Sequence, residues 1–173
     1  MVEYPFAEGL TVLGRERQIM RPPRELLVFL ARYDPQVQRL ALSLRRVVHN
    51  EIAPCHEYIF AMRSKVVLLY GATERVIDDG ICHINVFIRH INLGFSRGAE
   101  LDDPGHVLRG TGKAMRHITL KTLSDLEGPE IRAYLGKARR HAGLASQDTT
   151  AKVVTRVKSK APTKQAPWPV TFV

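Results

Sequence analysis

Between Asn92 and His117 the sequence sets five glycines, one proline, two adjacent aspartates and four Arg/Lys into one passage, Asn-Leu-Gly-Phe-Ser-Arg-Gly-Ala-Glu-Leu-Asp-Asp-Pro-Gly-His-Val-Leu-Arg-Gly-Thr-Gly-Lys-Ala-Met-Arg-His. A backbone so rich in glycine and charge cannot be a packed strand or a long helix, so it must turn repeatedly. Loops of this length in compact domains are functional or disordered. The apolar Leu93, Phe95, Leu101, Val107, Leu108 and Met115 argue for order. Glycine N–H groups close to Arg109, Lys113 and Arg116 can cradle an anion. The candidate ligand-binding residues are therefore Arg97, Asp103, Arg109, Gly110, Gly112, Lys113 and Arg116, with Asp103 orienting the loop. The competing reading is structural: Asp102 or Asp103 satisfies loop amides and pairs with arginine, and the glycines only shape the turn.

Other chemistries fit less well. Gly110-Thr-Gly-Lys113 is not a P-loop, because that motif needs a glycine where Val107 stands and a Ser or Thr where Ala114 stands. Histidine and cysteine occur as Cys55-His56, Cys82-His83, His90, His106 and His117, with no Cys-x-x-Cys or His-Glu-x-x-His spacing. On a strand Cys82 and His83 point to opposite faces. No metal site is assigned; Glu100, Asp102 and Asp103 make at most a loose hard-cation site. A nucleophile needs a base within reach, and Cys55 and Ser96 are the only candidates worth naming. No catalytic residue and no cofactor can be read from these residues, and no reaction follows.

Several elements must position the loop. Pro22-Pro23 opens a short apolar helix running to Tyr33. Asp34-Pro35 is a helix start, and Val37, Leu40, Ala41, Leu44, Val47, Val48 and Ile52 mark one face of an amphipathic helix ending near Ala53-Pro54. Arg39, Arg45 and Arg46 read as its solvated outer surface. The period then changes. Tyr58–Met62 and Val66–Tyr70 predict a hairpin, Ile81–Ile88 and Ile91–Phe95 two further strands, and His117–Leu120 an edge strand. Gly128-Pro129-Glu130 begins a last helix with Ile131, Tyr134, Leu135 and Ala138 inward and Gly143 as its terminator. Arg139, Arg140 and His141 complement that helix's own dipole.

The chain of 173 residues carries a formal charge of +9, with 45% hydrophobic residues and two cysteines. That suits one globular domain with a real core. Without a basic-then-apolar leader or a long apolar run, the expectation is a cytoplasmic protein with two buried free thiols. From Ala145 to Val173 five Lys/Arg and one Asp give +4, nearly half the excess charge. Residues 1–24 read as a lead-in, 25–145 as the domain, and 146–173 as a flexible basic tail with Trp168 and Phe172 near its end. The tail can bind nucleic acid non-specifically, whereas the folded part shows no recognition helix or RNA-binding signature. No membrane association is expected, and the chain reads as a monomer or homodimer.

The block Asn92-Leu-Gly-Phe-Ser-Arg-Gly-Ala-Glu-Leu-Asp-Asp-Pro followed by Leu108-Arg-Gly-Thr-Gly-Lys-Ala-Met-Arg-His resembles the YdhG-like family, small and mostly bacterial domains of unknown function. The family's Asn-Leu-Gly-Phe-like strand, Gly-Ala-x-Leu-x-Asp-Pro turn and Leu-x-Gly-Thr-Gly-Lys are all present. The upstream helix ending in Ala-Pro is similar too, and Glu57 matches a glutamate frequent after that proline. A glycine usual in the next strand is replaced around Ala61-Met62. The resemblance spans roughly residues 25–145. It implies an α+β domain with a mostly antiparallel sheet and packed helices at both ends. Some relatives are described as frataxin-like iron chaperones, but this basic chain lacks the acidic ridge such a role requires. The resulting expectation is a non-enzymatic module binding a small anion or an acidic partner. A metal-handling protein would instead need His83, His90, Asp102 and Asp103 to converge. An enzyme would use the glycine-rich loop as the rim of its active site.

Overall fold

The computed structural model describes residues 21–144 and 153–159. The described residues form an α+β fold of three helices and one six-stranded sheet, in the order α1 (Arg24–Leu30), α2 (Pro35–Ile52), β1 (Cys55–Ala61), β2 (Val66–Gly71), β3 (Gly80–Val86), β4 (Ile91–Phe95), β5 (Arg116–Leu120), α3 (Pro129–His141) and β6 (Val153–Ser159). The sheet order is β5-β4-β3-β2-β1-β6. Every pair is antiparallel except β1 with β6, which is parallel. Among the described residues, no helix is long and apolar enough to cross a membrane.

Asp34 starts α2: its carboxylate accepts from the Gln36 N–H at 2.7 Å, and Pro35 takes a first-turn position where a missing N–H costs nothing. Ala53, pushed to an extended conformation by the proline after it, ends the helix. Replacing Asp34 with alanine is expected to lower stability by about 1 kcal/mol. Urea unfolding measures it, and an unchanged midpoint would show that the cap contributes nothing.

The three helices contribute to one core, sharing it with the alternate strand residues Cys55 and Ile59, Val66, Leu68 and Tyr70, and Cys82, Ile84 and Val86. Both cysteines are free and buried. Ile131, Tyr134, Leu135 and Ala138 are the buried face of α3, and Gly143 follows it with a φ of +71°.

Two sequence expectations need correction. Residues 153–159 fall in the segment read as a flexible tail, yet they form β6 along β1. The reason is local: Val153 and Val157 pack against the core, and Thr155 between them donates to the buried Glu57 at 2.7 Å. The rest of that tail, with Trp168 and Phe172, lies outside the described residues, as do residues 1–20. The second correction is Arg45, expected in solvent but only 3% exposed. Arg39 and Arg46 are exposed as expected.

Candidate functional site

The glycine-rich passage leaves β4 at Phe95, makes a 3-10 turn at Gly98–Glu100, and returns to the sheet as β5. Its shape is set from inside. Asp103 accepts from the N–H groups of Val107 at 2.9 Å and Leu108 at 3.0 Å, and from the Tyr134 hydroxyl on α3. The Tyr134 bond first, and then the two loop amides, hold the Asp103 carboxyl below the usual carboxylate range. Burial, with Asp103 beside it, pushes the Tyr134 phenol up to about 12. Lys137 on the same helix pairs with Asp102 at 3.3 Å. Partly buried Leu101, Val107 and Leu108 press this half of the loop onto the core. The amide-holding role foreseen for the aspartates is therefore present, but their side-chain partners are Tyr134 and Lys137 and not an arginine.

The second half is a cationic tip. Arg109 and His117 exchange backbone hydrogen bonds at 2.8 and 2.9 Å, closing a turn over residues 110–116. Gly110 sits at φ +116°, a conformation that a side chain would strain. Arg116 donates to the carbonyls of Gly112 at 2.6 Å and Met115 at 2.8 Å, and Ala114 accepts from Ala99 at 2.8 Å. Among the described residues, no backbone or side-chain acceptor takes the N–H groups from Gly110 to Met115. Arg109, Gly110, Gly112 and Lys113 are exposed. Five of the expected site residues, Arg109, Gly110, Gly112, Lys113 and Arg116, thus share one turn. Asp103 lies behind it as a brace. Arg97 lies outside those residues in the chain and pairs with Glu100 at 3.5 Å.

Beside that turn lies a cleft of about 540 Å³, floored by Ile81, Phe95 and Leu101 and reached by Ser96, Arg97 and His141. Its charges are mixed. His141 pairs with Glu100 at 2.9 Å, and Asp78 and Asp79 also line the cleft. It is therefore not a purely cationic pocket. Among the described residues no Ser or Cys hydrogen-bonds a histidine, and no three His, Cys, Asp or Glu are grouped to hold a metal. Burial, reinforced by the Glu57 charge, pushes the Cys55 thiol up to about 12, and burial raises Cys82 likewise, so neither is a ready nucleophile. His90 stacks on Phe87 and His83 lies across Gly94, and among the described residues they do not join Asp102 and Asp103 in a group that could hold a metal.

Two constellations were not foreseen. Under the sheet, Glu57 accepts from Arg45 at 2.8 and 2.7 Å, from Tyr70 at 2.9 Å and from Thr155 at 2.7 Å, and lies 3.0 Å from His49 Nε2. A glutamate at an inward strand position, opposite an arginine on the helix's apolar stripe, was the available signal. On the opposite face of the sheet, the imidazole of His83 occupies the space above Gly94, where a Cβ would stand 2.1 Å from its Nε2. Only glycine admits that approach.

The chain matches no family model, no curated protein and no solved structure.

Proposed function

We propose that this protein is a non-enzymatic binding module of the YdhG-like type, and that it takes a small anion or an acidic partner at the turn from Arg109 to Arg116. The observation that supports this is the run of N–H groups without acceptors from Gly110 to Met115, flanked by the exposed cations Arg109 and Lys113. Consecutive backbone donors in a glycine turn form a concavity for negative charge, and neighbouring cations add Coulomb attraction to it. Asp103, Tyr134 and Arg116 hold the turn in one shape, so little conformational freedom is lost on binding. In this reading Arg116 shapes the turn while Arg109 and Lys113 supply free charge. Arg97, already paired with Glu100, is peripheral.

A thermal-shift titration with inorganic phosphate, pyrophosphate and citrate tests it. A ligand at one hundred times its dissociation constant adds about 2.7 kcal/mol of stability. The shift is expected to disappear in Lys113→Ala and Arg109→Ala while their ligand-free melting stays within about 0.5 kcal/mol of the parent. A shift that survives both variants would remove the turn from consideration.

A further inference from the structure

The face of the sheet turned away from the helices carries a second pattern. Strand register lines up Tyr58, Leu69, His83, Gly94 and His117 in one row across β1 to β5. Phe60, Val67, Asn85, Asn92 and Thr119 form the next row. Tyr58 and Val67 are buried yet stand apart from the core that the helices share, as expected for the opposite face. Four strand spacings of about 4.8 Å make each row about 19 Å long.

The chemistry of these rows is uneven in a telling way. Among the described residues, none of the outward positions in either row is a carboxylate. Flat rings (Tyr58, Phe60, His83 and His117) and amides (Asn85 and Asn92) occupy six of the ten, and Leu69, Val67, Gly94 and Thr119 the rest. Phe60 stacks near Tyr58 with centroids 6.4 Å apart, and beyond the hairpin Phe87 stacks on His90 at 4.8 Å. Lys65 places its ammonium 5.5 Å from the Phe87 ring. The first row ends on the cationic turn, because His117 is bridged to Arg109 and its ring lies beside Gly110. At the far edge Arg156 covers Tyr58 at 5.7 Å, with Glu74 pairing it at the rim. Burial first, and then Lys65 and His117, lower His83 to a pKa of about 4, so its ring is neutral at pH 7.

We propose that this face, turned away from the three described helices, together with the Arg109–Arg116 turn, binds single-stranded nucleic acid. Unstacked bases lie on Phe60, Phe87 and the imidazoles, Asn85, Asn92 and Thr119 meet base edges, and Lys65, Arg109 and Lys113 meet phosphates. A sheet face with aromatic platforms, amide groups and bordering cations is the chemistry that recognises unpaired bases on a backbone of phosphates. Charge complementarity selects this occupant over an apolar or basic protein surface, because the rows offer no carboxylate, Lys65 borders them, and the end at the Arg109–Arg116 turn is cationic, whereas Arg156 at the far edge is paired with Glu74. The inference rests on the anion-binding reading of the turn and names its partner class.

Fluorescence anisotropy of the full-length protein with short labelled oligouridylate, oligothymidylate and a duplex is the test. Binding of the single strands is expected to fall steeply between about 50 and 200 mM salt. Thr119→Glu, which puts a carboxylate at an exposed position of the second row, is expected to weaken it about tenfold, and Lys113→Ala similarly. Thr119→Gln, of the same reach without charge, is expected to weaken it less than Thr119→Glu does. Preference for oligouridylate over oligothymidylate, or the reverse, identifies RNA or DNA as the source. Equal binding of the duplex, or binding unaffected by Thr119→Glu, would overturn the inference and assign the affinity to other basic segments. No oligonucleotide binding alongside a phosphate shift lost in Lys113→Ala overturns it while the turn keeps its anion. Absence of both signals removes both readings.

Discussion

Glu57→Ala is expected to destabilise the protein by about 3–5 kcal/mol, the cost of removing one partner from a buried ion pair. Glu57 is fully buried and Arg45 is 3% exposed, so the guanidinium left behind has no water to replace its carboxylate. The loss reaches further than one pair. The carboxylate binds α2 through Arg45 and His49, β2 through Tyr70 and β6 through Thr155, so its removal loosens three elements at once. Replacing both charges with apolar groups, Arg45→Met with Glu57→Leu, is expected to cost less than Glu57→Ala alone, since no buried guanidinium is then left without its carboxylate counter-charge. Urea unfolding of the three variants measures this. A cost below about 1 kcal/mol for Glu57→Ala would show that the cluster is no more than a surface pair in value.

The same cluster sets a dependence on pH. Burial opposes ionisation of Glu57, but hydrogen bonds from His49 and Arg45 overcome it and bring the carboxyl from 4.5 to about 2. The folded pKa lies below the unfolded one. Its contribution is therefore complete above about pH 4.5 and disappears as the pH falls through about 2. The shift corresponds to about 3 kcal/mol. Stability of the parent between pH 5 and 2 should fall more steeply than that of Glu57→Ala by about this amount.

The sheet and helices were legible because each follows a period that burial imposes. Asp34-Pro35 and the stripe through Ile52 name α2 almost to the residue, and the alternation in β1 to β4 follows from one face meeting the core. Arg45 was misread because it was judged by type. It stands four residues after Ala41 and four before His49, on the buried stripe, and the glutamate it needed was a strand away. β6 was hidden by composition: Val153-Val-Thr-Arg-Val is a β-rich run inside a Lys-, Ser- and Pro-rich region, and its pairing partner lies about a hundred residues earlier. The candidate turn was legible in its glycines and cations. The roles within it were not, because whether Arg116 serves a ligand or its own carbonyls depends on how the loop closes.

Arg139→Met is expected to cost about 1.5–3 kcal/mol, the range for hydrogen bonds that involve a charged group. Its place in the last turn of α3 explains a cation through that helix's own dipole, and the exposed Arg140 and His141 fit that account. Arg139 does something else. It is 6% exposed and reaches across to α2, donating to the carbonyls of Glu51 and Ala53 at 3.2 Å each. The last turn of a helix leaves its carbonyls without intrahelical partners, and a buried end must find donors elsewhere. Arg139 supplies them. Arg132 adds a bond to the Glu51 side chain at 2.6 Å, so α3 holds the end of α2 at two points. Methionine keeps the volume of the arginine stem while removing the donors, so the cost reports the bonds and not a cavity. Arg140→Met, its exposed neighbour, should stay within about 0.5 kcal/mol of the parent. Urea midpoints at unchanged slope compare the two. If Arg139→Met costs no more than Arg140→Met, the cross-helix cap contributes nothing, and the dipole of α3 suffices to explain both arginines.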